Sequence, residues 1–218
     1  MSVRPIVASP DRSDAQRGLA EALETLGLIH DRAQLDALLT LAELLLAWGS
    51  RINLTGHRTL EAIISGLVVE SAALIRELPE AESLADIGSG AGFPGLPIGI
   101  LRPACRVTLV EARERRHHFQ RAAIRKLRLE NVTPLRGRAE VLTPIPHAAA
   151  ISQAMARPEL ALTWMIPWVR AGGRILIPGS AVPPAIAIRT GVTHETTTRY
   201  RVPGSGRERT LWVGRITE

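Results

Sequence analysis

The chain has 218 residues, of which 45% are hydrophobic and 22% are charged. This length and composition exclude wholesale disorder and are typical of one globular core with at most a small extension. The single cysteine, Cys105, excludes an internal disulfide, and no cysteine and histidine residues have zinc-site spacing, so we predict no metal. The longest apolar stretch, residues 35–48, contains Asp36 and Glu43 and is shorter than the ~20 residues of a membrane span. We therefore expect a cytoplasmic protein.

The positive charge of the chain is concentrated in one segment. The formal net charge is +6, and residues 113–138 contain only two acids, Glu114 and Glu130. Such a segment is either the solvated face of a helix or the electrostatic footprint of a polyanion such as RNA. The charge pattern alone leaves both interpretations open.

Residues 1–79 form the predicted N-terminal helical extension. Within it, apolar residues recur at intervals of three and four, which indicates an amphipathic helix. These residues are Leu35, Leu38, Leu39, Ala42, Leu45 and Leu46. Thr55 and Thr59 are candidate N-caps of a further helix over residues 61–77.

Residues 80–218 form the predicted second domain, in which the hydrophobic period changes to that of strands. Helical segments at residues 113–129 and 157–170 separate several short apolar runs. The runs are residues 84–88, 106–112, 132–137, 148–154 and 173–179. Strands that alternate with helices indicate an α/β fold with a mostly parallel, doubly wound sheet.

A glycine-rich turn follows the first predicted strand. Gly88, Gly90 and Gly92 stand at every second position, and Asp86 precedes the first of them by two residues. A dinucleotide site has the spacing G-x-G-x-x-G and places a pyrophosphate on a helix N-terminus. A carboxylate at Asp86 would repel that diphosphate, whereas it suits the cationic amino-acid group of S-adenosylmethionine. The turn therefore predicts an S-adenosylmethionine site.

Two further acids have the positions expected of a nucleoside site. Glu111 ends the second strand about 20 residues after the glycines, where an acid binds ribose hydroxyls. Glu140 follows the third strand, at a position from which it could contact the adenine of a cofactor. Each feature also has a simpler interpretation, since the turn could be only a tight strand–helix connection and Glu140 an ordinary surface acid. All of them in the correct order indicate a bound cofactor.

The end of the chain departs from the alternation of strands and helices. Residues 193–202 and 209–216 alternate polar with apolar side chains and are joined by turn residues at 203–206. This pattern predicts a terminal antiparallel hairpin. Dehydrogenase sheets usually continue parallel, so the hairpin favours the methyltransferase version of the fold over a dinucleotide oxidoreductase.

Several segments resemble those of the small-subunit rRNA methyltransferase G family, also called GidB. The similar segments are LLAWGSRINLTG (45–56), DIGSGAGFPGLPIGILRP (86–103), VTLVEARERRHHFQRAAIRKLRLENV (107–132), ISQAMA (151–156) and RERTLWV (207–213). The resemblance implies a class I S-adenosylmethionine-dependent methyltransferase, with a Rossmann-like fold, that methylates N7 of a guanine in 16S rRNA. The cofactor contacts that it implies are Gly88, Phe93, Ala139, Glu140 and Gln153.

The implied reaction places few demands on catalytic side chains. Guanine N7 carries a free lone pair, so no general base and no catalytic residue is expected, and the enzyme must mainly align the reactants. The expected partner is 16S rRNA or the 30S ribosomal subunit, bound by a monomer. Arg113, Arg116 and Arg157 are candidates for phosphate contacts, and Asn53 is a further candidate RNA-binding residue.

The chain also departs from the pattern of the family. Gln153 stands where the resemblance implies an arginine, Gly66 lies near an implied histidine, and Pro178 replaces a lysine. These losses leave two alternatives to rRNA methylation. The chain could be a methyltransferase recruited to a small-molecule substrate, or a non-catalytic RNA-binding relative. The basic segment favours RNA.

Overall fold

The computed structural model describes residues 12–49, 52–76, 78, 82–153, 157–179 and 191–217. The strands are β1 Ser83–Ile87, β2 Arg106–Glu111, β3 Val132–Arg136, β4 His147–Ile151, β5 Val169–Pro178, β6 Val192–Arg201 and β7 Glu208–Ile216. They form a seven-stranded sheet in the order β3-β2-β1-β4-β5-β7-β6. The first five strands pair in parallel, and β7 pairs antiparallel with both β5 and β6. The predicted fold is confirmed: this is the mostly parallel sheet with a terminal hairpin of the class I S-adenosylmethionine-dependent methyltransferases.

The helices lie on both faces of this sheet. They are α1 Arg12–Thr25, α2 Arg32–Gly49, α3 Leu60–Ile63, α4 Val69–Leu74, α5 Gly95–Leu101, α6 Glu114–Leu127 and α7 Pro158–Met165. A π-helical segment, Ile64–Val68, joins α3 to α4, and a 3₁₀ turn, Ile166–Trp168, follows α7. No helix in the described part of the chain has both the length and the apolar character of a membrane span.

The candidate N-caps near residue 60 prove to have different roles. The Thr59 side chain accepts a hydrogen bond from the N–H of Ala62 and caps α3. The Thr55 hydroxyl instead accepts the N–H of His57 at 3.2 Å, within the preceding loop. The helix predicted from residue 61 therefore begins at Leu60 and continues through the π-helical segment into α4.

The helix predicted over residues 157–170 is too long. α7 ends at Met165, and β5 begins at Val169, earlier than the predicted start at residue 173. Pro167 explains the difference, because proline has no N–H to donate and its ring collides with the carbonyl four residues earlier. The helix cannot continue through this position, and the chain enters the sheet after one tight turn.

The N-terminal helices and the sheet share one hydrophobic core. The predicted stripe on α2 is buried at Leu35, Leu38, Leu39, Ala42 and Leu45, while Leu46 is half-buried. These leucines belong to the same buried cluster as Leu84 of β1 and Phe119 of α6. Trp48 packs edge-to-face on Phe119, with ring centroids 5.6 Å apart. The predicted boundary at residues 79–80 lies outside the described residues.

The strand order reverses direction next to β1. From β1 the chain moves to β2 and β3 on one side, and it then returns to β4 and β5 on the other side. In open α/β sheets the carboxyl ends of the strands form a crevice at such a switch point, and ligands bind there. The fold therefore directs attention to the loops that follow β1, β2, β3 and β4.

Candidate functional site

A pocket of about 590 Å³ opens at the carboxyl ends of these strands. Its volume lies within the range of small-molecule and cofactor sites. The lining residues come from the four strand-end loops, from α6 and from α7. Others come from the N-terminal layer, which consists of α1 to α4 and the loop before α3. The lining residues are Leu54, Thr55, Leu67, Gly88, Ser89, Gly90, Ala91, Phe93, Val110, Glu111, Ala112, Arg113, Arg116, Gly137, Arg138, Ala139, Glu140, Gln153 and Trp164.

The glycine loop after β1 forms one wall of the pocket. Gly88, Gly90 and Gly92 have φ values of +71°, +59° and +87°, a conformation that side chains with a Cβ rarely adopt. The N–H groups of Gly88 and Ser89 both donate to the carbonyl of Val110, which ties the loop to β2. Gly92 does not line the pocket. A Cβ at Gly92 would lie 2.4 Å from the Cδ1 of Leu96, so this glycine permits close packing beneath the loop.

Asp86 lies below the glycine loop rather than in the lining of the pocket. Its Oδ2 accepts the N–H of Gly95 at 2.9 Å, and its side chain is buried. Burial raises the pKa of this carboxyl to about 7, and the nearby Glu111 charge adds to the increase. No residue in the described part of the chain donates a hydrogen bond to Oδ1. The structure thus places Asp86 as the residue that joins β1 to the start of α5.

Glu111 connects the two loops that meet at the centre of the pocket. Its Oε2 accepts the N–H of Gly90 at 2.9 Å, and its Oε1 accepts the N–H of Arg113 at 2.7 Å. The side chain is almost fully buried, and the Arg116 guanidinium lies 3.8 Å from Oε2. Each carboxylate oxygen can accept a second hydrogen bond. Glu111 therefore holds the glycine loop in place and keeps acceptors for the hydroxyls of a ligand.

A second polar side chain, which the sequence analysis did not identify, fixes the same loop. The Nε2 of Gln120 donates to the hydroxyl of Ser89 and to the carbonyl of Gly90, both at 2.8 Å. Gln120 is fully buried on the inner face of α6, beside Phe119. The only signal in the sequence is its place on the apolar face of an otherwise basic helix.

The loop after β3 and α7 form the opposite wall. Gly137, Ala139 and Glu140 line the pocket, as does the indole of Trp164, which the sequence analysis missed. The Nε1 of Trp168 donates to the carbonyl of Ala139 at 3.3 Å and fixes the backbone of this loop. This wall thus combines Ala139 and Trp164 with an exposed ion pair, in which the Nη1 of Arg138 lies 3.7 Å from the Oε1 of Glu140.

The N-terminal layer contributes the third wall. Leu54, Thr55 and Leu67 line the pocket, whereas Asn53 is exposed and lies outside the lining. The ring of His57 packs over Gly66, with its Cε1 2.7 Å from the position that a Cβ would take. A side chain at position 66 would displace this imidazole.

Gln153 also lines the pocket, and its side chain binds the buried carboxylate of Glu70, which pairs with Arg209. Its Nε2 donates to the Oε1 of Glu70 at 3.0 Å. The Nη2 of Arg209 donates to the Oε2 of Glu70 at 3.2 Å, and its Nε lies 3.1 Å from Oε1. Glu70 is only 5% exposed. Neither Glu70 nor Arg209 was identified as a site residue from the sequence.

The candidate phosphate-binding arginines divide into two groups. Arg113 and Arg116 line the mouth of the pocket, where α6 begins. Arg157 is exposed just before α7 and does not line the pocket. The described residues therefore bring two of the three candidates together with Glu111 and Gln153.

Solved structures with the same fold are only distantly related in sequence. A SAM-dependent methyltransferase from Aquifex aeolicus superimposes with a TM-score of 0.52 at 15% identity, covering 72% of this chain and 93% of that protein. The TYW2 protein of M. jannaschii, solved in complex with AdoMet, has a TM-score of 0.55 at 13% identity, with 76% and 78% covered. These similarities support the fold alone.

Closer relatives are found by sequence. The ribosomal RNA small subunit methyltransferase G of Azoarcus sp. (strain BH72) is 34% identical over 198 residues, which cover 89% of this chain and 93% of the relative. The protein of the same name from Roseiflexus sp. (strain RS-1) is 36% identical over 168 residues, with 74% and 72% covered. The model of the GidB family, described as rRNA small subunit methyltransferase G, matches residues 34–182. The chain belongs to the rRNA small subunit methyltransferase G family.

Proposed function

We propose that the protein transfers a methyl group from S-adenosylmethionine to N7 of a guanine in 16S rRNA. The observation that carries this proposal is the pocket itself, which is lined by a glycine loop tied to a buried acid, by the polar side chain of Gln153 and by three arginines. Family membership supports the assignment, since the relatives are named for methylation of small-subunit rRNA.

The residues present fit S-adenosylmethionine. The free lone pairs of Glu111 can accept hydrogen bonds from the two ribose hydroxyls. The adenine would lie against the wall formed by Ala139, Glu140 and Trp164. Gly88 and Gly90 allow the backbone to approach the methionine portion closely, and Phe93 packs beside it. Gln153 lies on the side of the pocket where the methyl group must be exposed to the substrate.

Asp86, Gly92 and Gln120 act on the cofactor indirectly. Asp86 and Gly92 lie behind the loop and fix its shape. Asp86 accepts the N–H of Gly95, and Gly92 leaves space for the side chain of Leu96. A bound ammonium group of the methionine portion would favour the ionised form of the Asp86 carboxyl, which otherwise holds its proton up to about pH 7. Gln120 sets the position of Gly90, whose N–H is bound by Glu111.

The chemistry needs no proton transfer by the protein. When bound, S-adenosylmethionine would supply an electrophilic methyl carbon to the N7 lone pair, with the sulfur–carbon electron pair returning to sulfur and the positive charge passing to the purine ring. The pocket therefore has to orient N7 in line with the sulfur and to exclude water, and proximity supplies much of the rate.

The substrate side of the pocket is suited to RNA. Arg113 and Arg116 at its mouth, with Arg157 before α7, are proposed to bind phosphates of 16S rRNA, and Asn53 is proposed to contact the RNA from the N-terminal layer. The proposed target is the 30S subunit or its rRNA, bound by a monomer in the cytoplasm without a metal. Such binding weakens steeply with salt, because each phosphate contact releases counterions.

The test is methyl transfer from labelled S-adenosylmethionine to 30S subunits that lack the modification, followed by digestion to nucleosides. Label in 7-methylguanosine is the expected result, and Glu111→Gln is the control that should abolish it. Cofactor binding without label in rRNA would indicate a small-molecule substrate. Binding of RNA without binding of the cofactor would indicate a non-catalytic relative. Thermal protection by NAD instead of S-adenosylmethionine would indicate an oxidoreductase.

A further inference from the structure

Three residues from distant parts of the chain form a polar cluster at the edge of the pocket. Glu70 lies on α4, Gln153 follows β4, and Arg209 lies on β7. Gln153 and Arg209 bind the two oxygens of the Glu70 carboxylate, with donor–acceptor distances of 3.0 and 3.2 Å. The methyl-transfer chemistry itself uses neither Glu70 nor Arg209. Their cluster therefore requires a separate explanation.

The ion pair compensates the buried carboxylate of Glu70. A carboxylate that is 5% exposed is costly unless it is paired, and Arg209 supplies the compensating charge. The Arg209 side chain keeps 35% of its surface exposed, so its guanidinium reaches Glu70 without being fully desolvated. The carboxylate of Glu70 is therefore paired on one side with Arg209 and on the other with Gln153.

An ionised carboxylate accepts hydrogen bonds and cannot donate them. The carboxamide of Gln153 must consequently turn its nitrogen toward Glu70, because the opposite orientation would bring two acceptor oxygens together. The bond uses one of its two N–H groups. The second N–H and the carbonyl oxygen remain as a donor and an acceptor whose order cannot be exchanged. Gln153 thus presents one fixed hydrogen-bonding pattern to the pocket that it lines.

We propose that Glu70 and Arg209 fix the orientation of the Gln153 carboxamide, so that it forms hydrogen bonds with guanine but not with adenine. This inference rests on the proposed function, the methylation of a guanine. Both purines carry an N7 lone pair, so the transfer chemistry does not by itself select guanine. The purines differ in the neighbouring edge: guanine presents the acceptor O6 and the donor N1–H, and adenine presents a donor N6–H and an acceptor N1.

The fixed carboxamide matches only one of these edges. Its free N–H donates to O6 and its oxygen accepts N1–H, whereas adenine would oppose donor to donor and acceptor to acceptor. A carboxamide that could rotate by half a turn would match both purines. The specificity therefore depends on Glu70, which touches no substrate and is a positioning residue.

The test compares methyl transfer to 30S subunits that carry either the target guanine or an adenine at the same position. The measured quantity is the ratio of kcat/KM for guanine to kcat/KM for adenine. In Glu70→Gln the new amide can both donate and accept, so Gln153 is free to rotate. We expect this ratio to fall about tenfold or more, as for the loss of one bidentate base contact. The affinity for S-adenosylmethionine should stay within about twofold, since Glu111, the proposed ligand of the ribose, is unchanged in this variant.

A matched control is available on the terminal hairpin. Glu195 is also bound by two arginines, Arg174 and Arg215, but it lies on β6 and does not line the pocket. Glu195→Gln removes one charge from a similar cluster and should leave the guanine-to-adenine ratio unchanged. A purely structural role of Glu70 would instead lower kcat/KM equally for both bases and leave their ratio intact, which would overturn the proposal.

A second variant keeps the test informative if Glu70→Gln fails to fold. Gln153→Met retains the length of the side chain and removes both hydrogen-bonding groups, so the same ratio should fall. An unchanged ratio in this variant overturns the proposal as well. If the wild-type protein methylates no guanine in 30S subunits, the proposed function itself fails, and that result is distinct from an unchanged ratio in an active enzyme.

Discussion

The two sides of the pocket are built in different ways. The proposed cofactor side combines the consecutive residues from Gly88 to Phe93 with the loop after β3 and with Glu111, whose side chain accepts two backbone N–H groups. The substrate side consists of side chains that meet only in the folded protein, with Glu70 83 residues from Gln153 and 139 residues from Arg209. We therefore propose that cofactor binding depends mainly on short strand-end loops, whereas substrate selection depends on the packing of the N-terminal helices and the terminal hairpin against the sheet.

The first prediction concerns Glu111, which lies on the proposed cofactor side of the pocket. Glu111→Gln replaces an acceptor with a donor next to the N–H of Gly90 or Arg113, so it leaves a buried donor unpaired and also loses the ribose contact. Two such losses of about 1–3 kcal/mol each total at least about 2 kcal/mol, which weakens cofactor binding by about thirtyfold or more. Calorimetric titration with S-adenosylmethionine measures the effect. The control is Glu114→Gln, which removes an exposed acid paired with Arg136 and should bind normally. Equal affinities for the two variants would contradict the role of Glu111.

The second prediction concerns the glycine loop and compares two neighbouring glycines. Gly92→Ala should lower the free energy of unfolding by about 3 kcal/mol, because a left-handed residue gains a Cβ that also overlaps the buried Leu96. Gly90→Ala shares the backbone strain, but its Cβ meets only the Arg116 side chain at 3.9 Å. It should cost about 1–2 kcal/mol. Chemical denaturation of both variants measures the difference, and equal losses would show that the packing under the loop is not tight.

The third prediction follows from the raised pKa of Asp86. Its carboxyl holds a proton up to about pH 7 in the folded state but titrates near its ordinary value of 3.8 when unfolded. The folded state therefore binds more protons between these values, and its stability falls as pH rises through this window. Between pH 5 and 7 the wild type should lose about 2 kcal/mol relative to Asp86→Asn, which lacks the titrating group. Parallel stability curves for the two proteins would mean that Asp86 titrates normally.

The smallest expected effect concerns the arginines at the mouth of the pocket. Arg113→Gln retains the backbone N–H that binds Glu111 and removes one proposed phosphate contact. The slope of log affinity for 30S subunits against log salt should become shallower by about 0.7 to 0.9. Arg199→Gln, on β6 and paired with the exposed Glu208, should leave the slope unchanged. Identical slopes for both variants would remove Arg113 from the RNA-binding surface.

The contrast between the two sides also explains what could be predicted from the sequence. The strands, the glycine turn and Glu111 follow from local periodicity and spacing, so the sequence alone predicts them. The fold was predicted correctly, and the error at α7 arose because one proline outweighed the apolar periodicity around it. Local patterns are read reliably when the residues that form them are close in sequence.

The missed residues all act through tertiary contacts. Gln120, Trp164, Glu70 and Arg209 belong to elements whose local sequence gives no sign of the pocket. The departures from the family pattern show the same limit. At Gly66 the missing side chain leaves room for the ring of His57, and Gln153 is bound by Glu70, whose charge Arg209 compensates. Such replacements are visible only when distant residues are brought together.

The most direct test of the division between the two sides is a crystal structure of the protein with S-adenosylhomocysteine bound. The ribose hydroxyls should bind Glu111, the adenine should lie against Ala139 and Trp164, and the sulfur should face Gln153 with the contact to Glu70 intact. A ligand that occupies the side of Gln153 and Glu70 and leaves Glu111 bound only to Gly90 and Arg113 would contradict the account.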